Sequence, residues 1–239
     1  MANPFFKFKQ FTVYHDRCAM KITTDACLFG AWCAEKISNG NRRAINCLDI
    51  GTGTGLLALM TAQKNQVFIN AIEIDKHAAV QAFENIQASP WKERIKVFHT
   101  DISCFESDNY DIIISNPPFY ENELSSNNKQ KNIAHHSEQL KLHHLFTIVN
   151  SKLQTDGCAF LLLPYKRKDE IEQLLLNENL FITKSVIVRQ SVNHTPFRWM
   201  IRIEKKSSAL IEEALSIRDD QQKYTPEFIR LLQDYYLYL

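Results

Sequence analysis

No stretch of this 239-residue chain approaches the roughly 20 apolar residues that a membrane-spanning helix needs, and its polar, aromatic start lacks a signal-peptide core. That leaves the cytoplasm as the expected location. No two of its six cysteines are spaced C-x-x-C. Cys18, Cys27, Cys33, Cys47, Cys104 and Cys158 stand mostly beside apolar neighbours, and read as small hydrophobes in a reducing compartment rather than as disulfides or metal ligands. No metal site is expected. Nor does one sign of charge dominate, since the net charge is only +1. Hydrophobic residues at 45% and charged residues at 23% are those of an ordinary globular protein, and the length suits one α/β domain spanning 1–239. Glycine is scarce, with six in the whole chain.

Three of those six glycines fall in Gly51-Thr52-Gly53-Thr54-Gly55. The loop follows a short apolar strand, Ile45 to Ile50, and precedes a helical run from Leu56 to Met60. Glycine there permits positive φ and close approach of a ligand, and the next helix offers free N–H groups. After another strand, Val67 to Ile72, comes Glu73, 22 residues beyond Gly51. An acid at that spacing is placed to accept from ribose hydroxyls. Strand, glycine loop, helix, strand and acid together point to a nucleoside-containing cofactor.

A second constellation stands at Asn116-Pro117-Pro118-Phe119, at the end of the apolar run Tyr110 to Ser115. Two prolines can neither continue a ladder nor enter a helix interior, so they stiffen a loop at the strand's end. An amide and an aromatic face held there suit the grip of a planar amine. Residues 120–138 follow as a polar stretch, which reads as a substrate-lid loop.

Strand and helix patterns alternate, which predicts a mostly parallel sheet of seven strands with helices on both faces. The strands are expected near 45–50, 67–74, 94–100, 110–115, 157–163, 181–190 and 198–205. Helices are expected near 25–37, 55–64, 76–88, 139–153, 167–177 and 225–237, the first capped by Thr24 or Asp25. Residues 1–22 form an extension in which Phe5 to Tyr14 alternates partly at period two, as in a strand or hairpin. Charge is unevenly spread, at net +3 over residues 1–21, +4 over 161–206 and −6 elsewhere. Two readings stay open: a phosphate-neutralising face, or ordinary solvated surface. Trp199, between Arg198 and Arg202, is likewise open to a stacking role or a place in the core. The scattered histidines, His15, His77, His99, His143 and His144, have no acid at catalytic spacing and read as structural.

Asp49 to Gly55 resembles the S-adenosylmethionine loop of Rossmann-like methyltransferases, and Asn116-Pro117-Pro118-Phe119 looks like the signature of members that methylate exocyclic or amide nitrogens. Phe8 to Val13, Asp16 to Lys21, Thr24-Asp25 and Gly30-Ala31-Trp32 resemble the bacterial family that N6-methylates adenine 37 of a valine tRNA. The resemblance implies S-adenosylmethionine as cofactor and the tRNA anticodon loop as substrate. By position it implies Lys21 and Thr24 near the cofactor's methionine end, and Gly51, Thr52, Gly53 and Leu56 along the loop under it. It implies Glu73 on the ribose, Ile74 beside the adenine and Asp101 at its amine. Asn116 would border the cofactor and, with Pro117 and Phe119, hold the target base. Other acceptors share this core: a guanine-N2 of ribosomal RNA, or a glutamine side-chain amide of a protein. A non-enzymatic cofactor-binding module is the remaining alternative.

Overall fold

The computed structural model describes residues 3–37, 45–118 and 142–239. Phe119 and the stretch 120–138 lie outside these residues. A small hairpin comes first, β1 (Phe5–Lys7) with β2 (Thr12–Tyr14), then α1 (Thr24–Lys36). The alternation follows: β3 (Ile45–Ile50), α2 (Leu56–Lys64), β4 (Val67–Glu73), α3 (Lys76–Gln87), β5 (Ile95–His99) and β6 (Tyr110–Ser115). Beyond the second gap come α4 (142–152), β7 (Leu153–Pro164), α5 (Lys168–Asn177), β8 (Phe181–Ser191), β9 (Pro196–Glu204), β10 (Ile211–Arg218) and α6 (Pro226–Leu232).

One sheet runs in the order β10-β8-β9-β7-β6-β3-β4-β5, parallel except for β9, which is antiparallel to both its neighbours. The expected α/β architecture is therefore borne out, with one correction: the sheet has eight strands, not seven. The additional strand is β10, whose Ile211-Glu212-Glu213-Ala214 half is exposed. An edge strand needs only one buried flank, so it lacks the apolar run of a central parallel strand, and its glutamates discourage further pairing.

Alternate residues of the central strands feed two cores. On β7, Phe160 and Leu162 face the core under α1, α2 and α6, while Leu161 and Leu163 face the one under α4 and α5. The same split separates Cys47 from Leu48 on β3 and Ile114 from Ile113 on β6. Burial on both faces is why these segments read as near-continuous apolar runs. Trp199 belongs to this interior, fully buried on β9, which settles its role as packing.

Two helix ends also depart from expectation. Thr23, not Thr24 or Asp25, caps α1: it has extended backbone angles and its side chain accepts from the Ala26 N–H. The last helix ends at Leu232 rather than near 237, because the following segment turns back to pair with the N-terminal extension. There the Lys9 N–H donates to the Tyr235 carbonyl at 2.8 Å, and Phe6 and Phe8 pack on Tyr236.

Candidate active site

β3, β4 and β6 are parallel and adjacent, so the chain leaves all three at the same end of the strands, their carboxyl end. Ile50 pairs with Ile72 on one side and with Ser115 on the other. The glycine loop, Glu73 and Asn116-Pro117-Pro118 therefore emerge side by side, neighbouring strands being about 4.8 Å apart. The Ser115 hydroxyl donates to the Ile50 carbonyl at 2.9 Å and clips the two motifs together.

Gly51, Gly53 and Gly55 all have positive φ, at 69°, 56° and 82°. Their surroundings differ. A Cβ on Gly51 or Gly53 would meet nothing within 4 Å, whereas one on Gly55 would press on Ile86 of α3 at 3.3 Å. The first two thus form an open backbone shelf on which a ligand can lie. Gly55 lets α2 begin close against α3.

The shelf is braced by acids. Gly51 and Thr52 both donate their N–H groups to the Ile72 carbonyl at 2.9 Å. Glu73 Oε2 accepts from the Gly53 N–H at 2.8 Å, and its Oε1 from the Asp75 N–H at 2.9 Å. Each oxygen keeps a second lone pair for an incoming hydroxyl. Asp49 lies beneath, fully buried, with Oδ2 accepting from the Thr52 hydroxyl at 2.6 Å and Oδ1 without a hydrogen bond of ordinary geometry among the described residues. Burial pushes its carboxyl up to about 7; the Thr52 hydrogen bond opposes that rise and the nearby Glu73 charge adds to it.

An apolar cavity of about 300 Å³ opens beside the shelf. Gly51, Ile74 and Pro117, three of the residues singled out from sequence, line it together with Pro118, Ile102 and Leu145. Ile74 is 65% exposed, an aliphatic face available to an aromatic ring. Glu73, Gly53 and Thr52 brace the shelf, and Leu56 is buried behind it in the core. Asp101 is exposed at the head of a short turn, one oxygen accepting from the Ser103 N–H at 2.8 Å, which together with local hydrogen bonding holds its carboxyl below the usual range. Asn116 is half-buried, with its side-chain amide unpartnered among the described residues. Lys21 is exposed and does not line this cavity, and Thr24 lines a different one.

Some contributors carried no functional flag in the sequence. Gln81 and Asn85 are buried on α3 and tie the N-terminal extension to the site. Asn85 accepts from the Tyr14 N–H and donates to the Tyr14 and Thr54 carbonyls, each at 2.9 Å; Gln81 accepts from the Arg17 N–H and donates to Asp16. Their signal was present: two polar residues on the stripe of Ala78, Ala82 and Ile86. Of the basic segments, Arg17, Arg167, Lys168, Arg198, Arg202 and Lys206 are each ion-paired to a carboxylate, which favours ordinary surface charge over a free phosphate-binding face.

Comparisons with known proteins agree with this geometry. Residues 34–162 match the family model described as the methyltransferase small domain. A Bacteroides thetaiotaomicron protein named tRNA1(Val) (adenine(37)-N6)-methyltransferase is 39% identical over 242 residues, covering 100% of both chains. A Pseudoalteromonas translucida protein of the same name is 39% identical over 235 residues, covering 97% of this chain and 98% of that one. Among solved structures, a predicted O-methyltransferase of Agrobacterium tumefaciens superposes with a TM-score of 0.65 at 15% identity, covering 88% of this chain and 96% of that one. That likeness speaks for the fold alone. The chain belongs to the methyltransferase family made up of these tRNA1(Val) (adenine(37)-N6)-methyltransferases.

Proposed function

We propose that this protein transfers a methyl group from S-adenosylmethionine to N6 of adenine 37 in the anticodon loop of a valine tRNA. The observation that carries the reading is the clip between the two loops, Ser115 to Ile50, which sets an unpartnered amide next to an open glycine shelf. The names of the full-length relatives supply the acceptor.

The residues fit a nucleoside cofactor. Gly51 and Gly53 leave the shelf open, Glu73 retains acceptor capacity for ribose hydroxyls, and Ile74 and Ile102 flank an apolar slot for a base. Asp101 has an oxygen left for an exocyclic amine, whereas Lys21 and Thr24, which the resemblance implies at the methionine end, do not line this cavity and are given no cofactor role. When bound, S-adenosylmethionine supplies a methyl group already electrophilic on its sulfonium.

The protein's part is alignment and nucleophile preparation. Adenine's exocyclic nitrogen is a poor nucleophile because its lone pair is delocalised into the ring. Asn116 Oδ1 and the Pro117 carbonyl accept its two hydrogens, which keeps electron density on nitrogen and favours pyramidalisation. Holding the amine in line supplies up to about 7–11 kcal/mol of the barrier. No dedicated general base is required, since the methylated amine is strongly acidic before it loses its proton. An anticodon loop is single-stranded, so the base is presented without extraction from a duplex.

The test is incubation with labelled S-adenosylmethionine and tRNA from a strain lacking the modification, then digestion to nucleosides. Label in N6-methyladenosine is expected. Label in N2-methylguanosine, or label lost to protease but not to ribonuclease, would overturn the assignment.

A further inference from the structure

A second cavity, of about 380 Å³, opens among the last residues of β8 and β10, the start of β9 and the first turn of α1. It lies at the same end of the strands as the methyl-transfer site. β7 runs parallel to β6, β9 antiparallel to β7 and β8 antiparallel to β9, so Ser191 and Ser115 end their strands on the same side. Three strand spacings separate β8 from β6, about 14 Å. The two cavities open against opposite cores of the sheet, so a single strand passing over the strand ends from one to the other needs at least about four nucleotides at the stacked rise of roughly 3.4 Å.

The lining differs from that of the first cavity. Gln190 and Gln222 present side-chain amides with no hydrogen-bond partner among the described residues. His194 takes part in a 2.7 Å hydrogen bond between its Nδ1 and the Ser191 hydroxyl. Arg218 stacks over Tyr224 at 4.5 Å and donates to the Gln222 carbonyl, but pairs with no carboxylate among the described residues. Tyr224 is held from behind by Phe228, stacked at 4.5 Å. Asp25, the acid in the lining, is neutralised by Arg198 at 2.7 Å and does not repel an anion. Gln222 has φ of 63°, uncommon for a non-glycine residue, in a turn held by Asp219, which accepts from the Gln221 and Lys223 N–H groups at 2.9 Å. The Tyr224 ring, covered by Arg218 and Phe228, holds the guanidinium in place, and amides for a base edge beside an uncompensated guanidinium for a phosphate are what a splayed-out nucleotide requires.

We propose that this cavity receives a second nucleotide of the RNA loop that carries the target adenine, a few positions away along the strand. The proposal rests on the functional reading above. It assigns Gln190 and Gln222 to the base edge and Arg218 to the phosphate, and makes the cavity a determinant of which loop is accepted.

The test uses Gln190→Ala and Arg218→Gln in the full chain, with wild-type melting behaviour and S-adenosylhomocysteine affinity as fold controls. With a valine tRNA transcript, each is expected to raise KM about tenfold, the scale of losing one base or phosphate contact, with kcat within about twofold. Binding of a labelled anticodon stem-loop, read by fluorescence anisotropy, is expected to weaken by a similar factor. An abasic nucleotide at one loop position away from the target is expected to weaken wild-type binding but not that of Gln190→Ala. Stem-loop binding unaltered in both variants would overturn the cavity's role whatever the wild type methylates. A wild type that binds the stem-loop but methylates no adenine would overturn the functional reading instead.

Discussion

The Ser115 hydroxyl donates to the carbonyl of Ile50 at 2.9 Å, across the gap between the last residues of two neighbouring parallel strands. Each is the last residue of its strand before a loop of the site begins: the glycine shelf after Ile50, the Asn-Pro-Pro loop after Ser115. The bond is buried and fixes the spacing between the two loops where the methyl group must pass. Ser115→Ala is expected to cost about 1–2 kcal/mol of stability by leaving the carbonyl with one partner fewer. It is expected to lower kcat more than it raises KM for RNA, because it loosens the alignment. Paired denaturation and steady-state measurements check this; a stability loss with kcat unchanged would make the bond a packing feature only.

Asn116→Ala removes the proposed acceptor for one hydrogen of the adenine amine and leaves the glycine shelf and Glu73 untouched. Turnover is expected to fall about a hundredfold or more, the scale of losing a preorganised transition-state hydrogen bond. Affinity for S-adenosylhomocysteine should stay within a few-fold. Calorimetric titration beside the activity assay decides it, since an equal loss of cofactor affinity would place Asn116 in the cofactor site rather than on the base.

Both loops were legible in the sequence because each interrupts a strand buried on two faces. Such strands read as apolar runs, and a glycine cluster or a proline pair after one stands out. β10 was not legible, since half of its residues face water and its glutamates read as loop. The α1 cap was expected at Thr24 or Asp25 and lies one residue earlier, because the extended backbone angles and the side-chain hydrogen bond to Ala26 fall at Thr23. The second cavity had no linear signal. Thr24, Gln190 and Gln222 meet only because β8, β9 and β10 pair in the order they do.

Asn85 joins two segments that the site needs in register: the strand at Tyr14, which leads to Lys21, and the loop carbonyl of Thr54. Asn85→Ala deletes three hydrogen bonds at a buried position, for an expected loss of about 2–4 kcal/mol. Weaker S-adenosylhomocysteine binding and faster proteolysis within residues 3–20 are expected with it. Melting curves and limited proteolysis, with and without the ligand, measure both. An N-terminal extension no more sensitive to protease than in the wild type would remove Asn85 from this bridging role.

Asp49 titrates beneath the glycine shelf. Its carboxyl is pushed up to about 7 by burial, against about 3.9 in an unfolded chain. Between those values the folded state holds the proton more tightly than the unfolded state, so this group's contribution to stability is fully present at low pH and is lost as pH rises toward 7. Asp49→Asn keeps an oxygen for the Thr52 hydroxyl but cannot ionise. The difference in denaturation midpoint, Asp49→Asn minus wild type, is therefore expected to grow in the variant's favour from about pH 4 to about pH 7 and to level off above. Denaturant midpoints measured at pH 5, 6, 7 and 8 give that curve directly. A difference that stays flat across the series would mean that Asp49 ionises in the folded protein at an ordinary carboxylate value, and that its Oδ1 under the shelf is met by water.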